Sequence, residues 1–285
     1  MVILQDINYH KPQNIEETLQ LLSRYGNKAK ILAGGTDLIV QLKEEQIKAE
    51  QLIDIKGIEA LKGISIEGNK VFIGANVTFT EIIESEIIRD RLSILWESVR
   101  KVASVGIRNR ATLSGNICTA VPSLDSAPAL LIYKAKVLIQ NEKEKIEIPI
   151  DEWFVGPKKT TLNADEIVLG IELEVPTIPY QGSYEKLGRY KGEDLAQAGI
   201  AIFINKNKEY RFAVCAVGPI PKRLTKIEAF MDKKDYSAEL LNQAQVMLED
   251  EILPITDIRA SKEYRHHMIK VMFKRGLEKA VKKLP

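Results

Sequence analysis

Residues 31–38 read Ile-Leu-Ala-Gly-Gly-Thr-Asp-Leu, and this stretch decides how the N-terminal part of the chain is interpreted. It predicts a short strand over residues 30–33, a tight glycine turn and a helix that begins at Leu38. Glycine lets a backbone approach a ligand closely, and the N–H groups of a turn before a helix can bind phosphate oxygens without a lysine. The stretch therefore predicts a phosphate-binding turn, although a single turn of this kind is more often an ordinary connection between a strand and a helix.

A second glycine turn, Thr-Leu-Ser-Gly-Asn at residues 112–116, lies about 80 residues further along the chain. It belongs to residues 104–124, where regular periodicity is lost and Gly, Ser, Thr and Asn recur, and a loop of about 20 residues inside a compact domain is usually functional. The two turns together predict a clamp on one pyrophosphate. No G-x-G-x-x-G follows a strand and no Gly-Lys dipeptide occurs, so neither a Rossmann fingerprint nor a P-loop is available.

Composition excludes several classes of protein. The 285 residues carry 41 basic and 39 acidic side chains, a net charge of +2, which is not the charge excess of a nucleic-acid-binding protein. With 45% hydrophobic residues the chain can bury a core, and its length suggests about two domains. The cysteines Cys118 and Cys215 are too few for a disulfide framework or for a cluster that needs about four thiolates.

Periodicity predicts further elements on both sides of the two turns. They are a helix over 15–25 with Asn14 and Glu17 as a capping box and Gly26 as its end, a strand over 51–55, a hairpin of 64–66 and 71–73, a long amphipathic helix over 87–103, a helix over 125–133, and strands over 136–140, 146–150 and 166–175. The Pro-rich segment 176–179 is a boundary. Beyond it we expect a hairpin of 197–205 and 209–218 and three capped helices beginning at Thr225, Ser237 and Ser261.

This order of elements predicts an α+β protein. The expected domains are residues 1–176, with subdomains of about 1–56 and 57–176, and residues 177–285. Residues 1–10 contain Asp6 and lack a basic region followed by an apolar stretch, so we expect no signal peptide. The longest apolar windows are seven residues long, short of the roughly 20 needed for a membrane span. We therefore expect a cytoplasmic protein without a membrane span.

Six motifs in the expected order resemble the FAD-binding (medium) subunit of molybdenum hydroxylases, the xanthine dehydrogenase and carbon monoxide dehydrogenase flavoprotein family. They are residues 31–38 (ILAGGTDL), 107–117 (IRNRATLSGNI), Pro122 with Asp125, 186–189 (KLGR) with Asp194 and Ala196, 217–219 (VGP) with Pro221 and Arg223, and 259–261 (RAS) with Tyr264 and Arg265. The resemblance implies a two-part FAD-binding domain of the vanillyl-alcohol-oxidase/PCMH type, followed by a smaller α+β C-terminal domain with an antiparallel sheet and helices.

The resemblance also implies which residues bind FAD. Residues of the first turn are implied to surround the pyrophosphate, and residues of the second turn to contact phosphate and the ribityl chain. The remaining residues are implied to approach the flavin from elsewhere in the chain. The implied set is Ile31, Leu32, Ala33, Gly34, Gly35, Thr36, Asp37, Leu38, Val102, Thr112, Ser114, Gly115, Asn116, Asp125, Val168 and Lys186. It contains no catalytic residue and no metal ligand. Two positions depart from the family, because Ser114 replaces a usual glycine and Tyr190 replaces an arginine that often follows Arg189.

Asp125 and Lys186 also have purely structural interpretations. Asp125 precedes a predicted helix and is equally suited to cap it. Lys186 has the usual environment of a lysine if it is solvated at the surface. Cys118 is expected to be a buried small hydrophobe rather than a nucleophile.

Other polar residues near the motifs are kept out of the site. Arg108 and Arg110 are expected to hold loop carboxylates. His266 and His267, on the last helix, are expected to be exposed. His10 is a poor candidate for covalent flavin attachment.

The family resemblance implies a flavoprotein subunit that takes electrons from a [2Fe-2S] subunit and passes them to NAD, oxygen or another acceptor, while a molybdopterin-binding large subunit hydroxylates the substrate. One alternative is a self-contained FAD-dependent oxidase or reductase of similar FAD-domain fold, which would need its own proton donor and substrate pocket. Another alternative is a scaffold that has lost the cofactor.

Overall fold

The computed structural model of the protein describes residues 6–190 and 193–284. Residues 1–5, which begin the first predicted domain and belong to the segment expected to lack a signal peptide, lie outside the described residues. Residue 285, the last of the second predicted domain, lies outside them as well. The first part of the chain forms a three-stranded parallel sheet in the order β1-β3-β2. Its elements are β1 Asn8–His10, α1 Ile15–Tyr25, β2 Ala29–Leu32, α2 Leu38–Lys43 and β3 Gln51–Asp54.

Helix α1 has the bounds that the sequence predicts. The Asn14 side chain accepts a hydrogen bond from the backbone N–H of Glu17 at 2.8 Å, which satisfies a donor that the first turn leaves free. Gly26 ends the helix, and Leu19 and Leu22 face the core. The bounds of the helix and the Asn14 cap are confirmed, but the capping box is not, because the Glu17 carboxylate accepts a hydrogen bond from the backbone N–H of Gln13 rather than from that of Asn14.

The next part of the chain builds a five-stranded antiparallel sheet in the order β4-β5-β10-β6-β7, covered by short helices. The elements are β4 Ile64–Glu67, β5 Lys70–Gly74, α3 Phe79–Glu84, α4 Glu86–Arg91, α5 Ser93–Val99, α6 Val105–Arg108, α7 Leu113–Thr119, α8 Ser126–Ile132, β6 Lys136–Gln140, β7 Lys145–Pro149, α9 Ile150–Trp153, β8 Phe154–Gly156, β9 Lys159–Thr160 and β10 Ile167–Glu174.

Two predictions in this region are wrong. The long helix over 87–103 is broken at Leu92, whose buried side chain and φ of −130° separate α4 from α5. The Tyr133 hydroxyl accepts a hydrogen bond from the backbone N–H of Ile94, which satisfies a donor at the new helix start. The stretch 104–124 contains α6 and α7, whose four and seven residues are too few to show helical periodicity.

The C-terminal part carries a four-stranded antiparallel sheet in the order β11-β12-β13-β14, with helices after it. The elements are β11 Tyr180–Leu187, β12 Ala198–Asn205, β13 Tyr210–Cys215, β14 Lys222–Arg223, α10 Thr225–Met231, α11 Ala238–Glu251 and α12 Lys262–Lys283. Helix α12 packs on β11 and β12, and Phe212 meets Phe273 edge to face in this second core.

Two of the three predicted caps in this part are confirmed. Ser237 and Ser261 accept backbone hydrogen bonds at the starts of α11 and α12. Thr225 instead is the first residue of α10, and the capping position belongs to Leu224, which offers no side-chain acceptor. The mixed helix and sheet architecture is confirmed, and the domain boundary at residue 176 stays a prediction. None of the described helices is apolar over a length that would cross a membrane.

Candidate functional site

A cavity of about 670 Å³, here named the turn cavity, brings the two glycine turns together. Its volume lies within the range of about 300–1,000 Å³ that is typical of cofactor sites. Twelve of the sixteen predicted residues line it, namely Ile31, Ala33, Gly34, Gly35, Thr36, Asp37, Leu38, Thr112, Ser114, Gly115, Asn116 and Val168. The structure thus unites both turns and a strand of the five-stranded sheet around one space.

The first turn needs its glycines because it packs directly on the chain that leads to the second turn. A Cβ atom on Gly34 would lie 2.1 Å from the backbone oxygen of Arg110, closer than any side chain allows. Gly35 has a φ of +77°, in the region that L side chains rarely adopt. The pair of glycines therefore fixes the distance between the two turns.

The second turn places the start of α7 at the turn cavity. The Thr112 hydroxyl caps this helix by accepting a hydrogen bond from Gly115 N at 3.0 Å. The Asn116 side chain accepts a hydrogen bond from the Ser126 hydroxyl at 2.7 Å, which holds α7 against α8.

Ser114 provides an observation that points to a ligand. It is 3% exposed, it lines the turn cavity, and its buried hydroxyl has no hydrogen-bond partner among the described residues. A buried hydroxyl without a partner costs free energy unless a ligand or water satisfies it. The glycine turns and this hydroxyl suit a ligand rich in acceptor oxygens, and so they fit the pyrophosphate and ribityl parts of FAD.

The same cavity has polar walls that the sequence reasoning missed. Asn27, Gln41, Gln46, Lys158 and Asn163 line it in addition to the predicted residues. They come from four separate segments and belong to no motif, so no local pattern identifies them.

Two predicted residues lie in the packing behind the loops. Leu32 packs against the small core of Leu42, Ala49 and Leu52. Val102 is 8% exposed, and its carbonyl accepts a hydrogen bond from the Arg108 guanidinium at 2.6 Å. Neither lines the turn cavity, and their assignment to the cofactor stays a prediction.

Asp125 and Lys186 are brought to each other, away from the lining of the turn cavity. The Lys186 ammonium lies 2.8 Å from Asp125 Oδ2, with side chains 9% and 6% exposed. Asp125 stands at the start of α8 but makes no capping hydrogen bond, so the purely structural cap interpretation is wrong. The surface interpretation of Lys186 is wrong as well, because the lysine is buried in an ion pair.

Burial raises the pKa of the Asp125 carboxyl, while the nearby Lys186 charge and hydrogen bonds from Lys186 and Tyr184 oppose the rise. Lys186 also lines a second cavity of about 730 Å³, together with the cations Arg100, Lys101 and Arg108. These three cations have no carboxylate within ion-pair distance in the described chain. The second cavity is therefore strongly basic, unlike the turn cavity.

The residues that were kept out of the site behave in different ways. Cys118 lines the turn cavity, and burial raises the pKa of its thiol to about 12, as suits an unreactive side chain. Arg108 binds backbone carbonyls rather than the expected carboxylates. Arg110 is exposed. His10 bonds Gln51 at 2.7 Å.

The two histidines of α12 differ in exposure. His267 is exposed as expected, whereas His266 is half-buried. The Nδ1 atom of His266 is buried without a partner among the described residues. The expectation of exposure is therefore wrong for His266.

Comparison with known families accounts for most of the chain. Residues 5–177 match the family described as the FAD binding domain in molybdopterin dehydrogenase. Residues 182–280 match the CO dehydrogenase flavoprotein C-terminal domain.

Similar individual proteins cover the chain from end to end. The xanthine dehydrogenase FAD-binding subunit of Escherichia coli O157:H7 is 31% identical over 280 residues, 96% of each chain. The carbon monoxide dehydrogenase medium chain of Hydrogenophaga pseudoflava is 32% identical and covers 95% of this chain and 96% of its own. A structure of carbon monoxide dehydrogenase from the same organism, lacking the Mo-pyranopterin moiety, superposes with a TM-score of 0.95 at 30% identity over 100% of both chains.

Proposed function

This chain belongs to the family of FAD-binding domains of molybdopterin dehydrogenases, and we propose that it passes electrons from a [2Fe-2S] subunit through FAD to an external acceptor such as NAD. It is an oxidoreductase subunit with FAD as its cofactor. A separate molybdopterin-binding large subunit hydroxylates the substrate. The relatives named as an FAD-binding subunit and a medium chain support this division of labour.

The observation that carries the proposal is the union of the two glycine turns around the turn cavity, beside a Ser114 hydroxyl that has no partner within the described part of the chain. The backbone of residues 33–37 and the start of α7 would hold the pyrophosphate, since turn N–H groups bind phosphate oxygens without a cation. Val168, 5% exposed on β10, would contribute an apolar contact. When bound, FAD supplies the redox chemistry, and the chain binds and orients it.

The first experiment tests retention of the cofactor. Gly35→Val places a branched side chain at a φ of +77°, where even its Cβ lies 2.9 Å from Leu32 Cδ1. We expect the purified variant to lose its flavin absorbance while the far-ultraviolet circular dichroism is kept. Gly57→Ala is the control, because its added Cβ meets only a lysine side chain at 3.7 Å. Undiminished flavin content in Gly35→Val would contradict the assigned pyrophosphate site.

The second experiment tests the place of the chain in a complex. We expect the chain purified alone to keep FAD and to oxidise no organic substrate. Co-expression with iron–sulfur and molybdopterin proteins encoded in the same genome should give a complex that hydroxylates its substrate and reduces NAD. Substrate oxidation by the isolated chain would instead favour the self-contained oxidase.

A further inference from the structure

The second cavity is strongly basic, and FAD binding in the turn cavity leaves this charge without a role. Five cations line the second cavity, whereas Glu193 is the single carboxylate among its described lining residues. The two cavities share no described lining residue. The five cations are Arg100, Lys101, Arg108, Lys186 and Arg189. The second cavity is therefore suited to an occupant that carries negative charge.

Two of the five cations already face a carboxylate of this chain. The Lys186 ammonium lies 2.8 Å from Asp125 Oδ2, and Arg189 Nε lies 3.7 Å from Asp194 Oδ2. The other three cations have no carboxylate within ion-pair distance in the described chain. Their charge is therefore available to an anionic partner.

Arg100 is the most accessible of these three cations. It directly follows α5 and is exposed, with its guanidinium carbon 4.2 Å from the centre of the Trp96 ring. Lys101 and Arg108 are half-buried, and each donates hydrogen bonds to backbone carbonyl oxygens. The Arg100 guanidinium makes no hydrogen bond to another described residue. It can therefore pair with an incoming carboxylate without losing a hydrogen bond of this chain.

Exposed apolar side chains line the same cavity. Val105 is 63% exposed and Tyr190 is 73% exposed. Sites for small molecules are lined mainly by apolar groups with a few polar ones, whereas charged side chains dominate here. Tyrosine and arginine are enriched at protein–protein interfaces, where they supply much of the binding energy. The composition of the second cavity therefore favours a protein partner over a small anion.

The second cavity lies beside the segment that joins the two glycine turns. Val105 is the first residue of α6. The chain continues from α6 through Arg110, whose backbone oxygen packs against Gly34, and then reaches Thr112 in the second turn. A partner that contacts α6 would therefore lie next to the turn cavity. An electron donor has to come this close to the flavin, because the rate of electron transfer falls steeply with distance.

We propose that the second cavity, with the exposed side chains of Val105 and Tyr190, is the docking surface for the [2Fe-2S] subunit, which presents acidic and apolar side chains to it. The positive charge would attract and orient the partner, and the apolar side chains would be buried on contact. The inference rests on the proposed function, which supplies the [2Fe-2S] subunit as the electron donor.

Binding of the FAD-loaded full chain to the [2Fe-2S] protein encoded in the same genome tests the surface. The dissociation constant is measured by calorimetry at about 50 mM and about 200 mM salt, because salt screens exposed charges. We expect wild-type binding to weaken as the salt concentration rises. Arg100→Glu should weaken binding about tenfold at the lower salt concentration and make the salt dependence shallower.

Arg24→Glu is the matched control. Arg24 is also an exposed arginine at the end of a helix, with its guanidinium carbon 5.2 Å from the centre of the Tyr25 ring. It has no carboxylate within ion-pair distance in the described chain, and it lines neither cavity. We expect Arg24→Glu to bind the [2Fe-2S] protein as tightly as wild type.

A second variant keeps the test decisive if Arg100→Glu fails to fold. Val105→Glu adds a negative charge in the first turn of α6, where an acidic side chain is favourable for the helix. It should retain FAD and weaken binding of the [2Fe-2S] protein about tenfold. Val155→Glu is its control, because Val155 is 59% exposed on β8 and lines neither cavity.

Three results would overturn the inference. The first is equal affinity of Arg100→Glu and Arg24→Glu for the [2Fe-2S] protein, and the second is wild-type binding that does not depend on salt. The third is a loss of NAD binding or of molybdopterin-subunit binding in Arg100→Glu while the [2Fe-2S] protein binds normally, which would assign the surface to that ligand. In each case the wild-type chain still binds the [2Fe-2S] protein. Failure of the wild-type chain to bind it would instead refute the proposed function.

Discussion

The turn cavity and the Asp125 cluster, the buried polar group of Lys101, Asp125, Tyr184, Lys186 and Cys215, are built with different chemistry. The turn cavity is formed largely by backbone, with glycines that allow the turn at residues 33–37 to touch the chain at Arg110. The Asp125 cluster is formed by side chains from four separate segments of the chain, and within it the Lys186 ammonium pairs with the Asp125 carboxylate in a buried site. Backbone sites depend on shape, whereas the cluster depends on charge balance. The two regions should therefore fail in different ways when they are altered.

The largest expected effect is on the turn cavity. Gly34→Ala forces a Cβ against the Arg110 carbonyl at 2.1 Å, so the two turns must separate. We expect FAD affinity to fall by more than about 100-fold, because several phosphate contacts are lost together. Titration of the apoprotein with FAD measures the change. A Gly34→Ala chain that binds FAD as tightly as Gly57→Ala would show that the close approach is irrelevant to binding.

The same contrast explains which features the sequence predicts. The strand, glycine turn and helix at residues 29–43 are local, so their residue types identify them within one or two positions. The union of the two turns is predicted from the pair of glycine turns and from the family resemblance, but no local pattern places residues 34 and 110 in contact. The Asp125–Lys186 pair joins residues 61 positions apart, and each member alone has an ordinary interpretation. Helices α6 and α7 were missed because capped helices of four and seven residues show no period.

The next effect should appear in the stability of the Asp125 cluster. Asp125→Ala leaves the Lys186 ammonium buried without a counter-charge and should reduce the free energy of unfolding by about 3 kcal/mol. The double variant Asp125→Ala with Lys186→Met should recover much of this loss, because no unpaired charge is left. Denaturant unfolding of the apoprotein measures both changes.

Asp125→Asn tests the contribution of the Asp125 charge by a second route, in addition to the geometry that already excludes a helix cap. Asparagine caps helices about as well as aspartate, so a capping role predicts almost no loss of stability. The ion pair predicts a clear loss for asparagine as well. Equal stability of Asp125→Asn and the wild-type chain would mean that the charge of Asp125 does not matter.

A smaller effect on the free energy of unfolding is expected at the Arg265–Asp257 ion pair of the C-terminal part. Arg265 is 2% exposed and donates to Asp257 at 2.6 Å and to the Ala216 carbonyl at 3.1 Å, next to Cys215. Burial works to raise the pKa of Asp257, but hydrogen bonds from Arg259 and the Arg265 charge lower it to about 2. A lowered folded-state pKa stabilises the protein above the unfolded value of about 3.9, and that stabilisation is lost as the pH falls through about 2.

Asp257→Asn should therefore cost about 1 kcal/mol near neutral pH, after allowance for solvent screening. The difference from wild type should shrink between about pH 4 and pH 2. Asp235→Asn, at a carboxylate that is 85% exposed, is the control and should show no comparable change. A constant difference across this range would place the effect of Asp257 in packing rather than in its charge.

The smallest effect returns to the turn cavity and isolates one side chain within a backbone site. Ser114→Ala removes a buried hydroxyl that has no partner among residues 6–190 and 193–284, so the apoprotein should be as stable as wild type or slightly more stable. If that hydroxyl bonds FAD, affinity should fall about threefold, as for a single neutral hydrogen bond. Ser126→Ala is the contrast, because its hydroxyl already donates to Asn116 at 2.7 Å and its loss should lower apoprotein stability. Unchanged FAD affinity in Ser114→Ala would show that the turn cavity binds its ligand through backbone groups alone at this position. The turn cavity would then differ fully from the Asp125 cluster, which is formed by side chains.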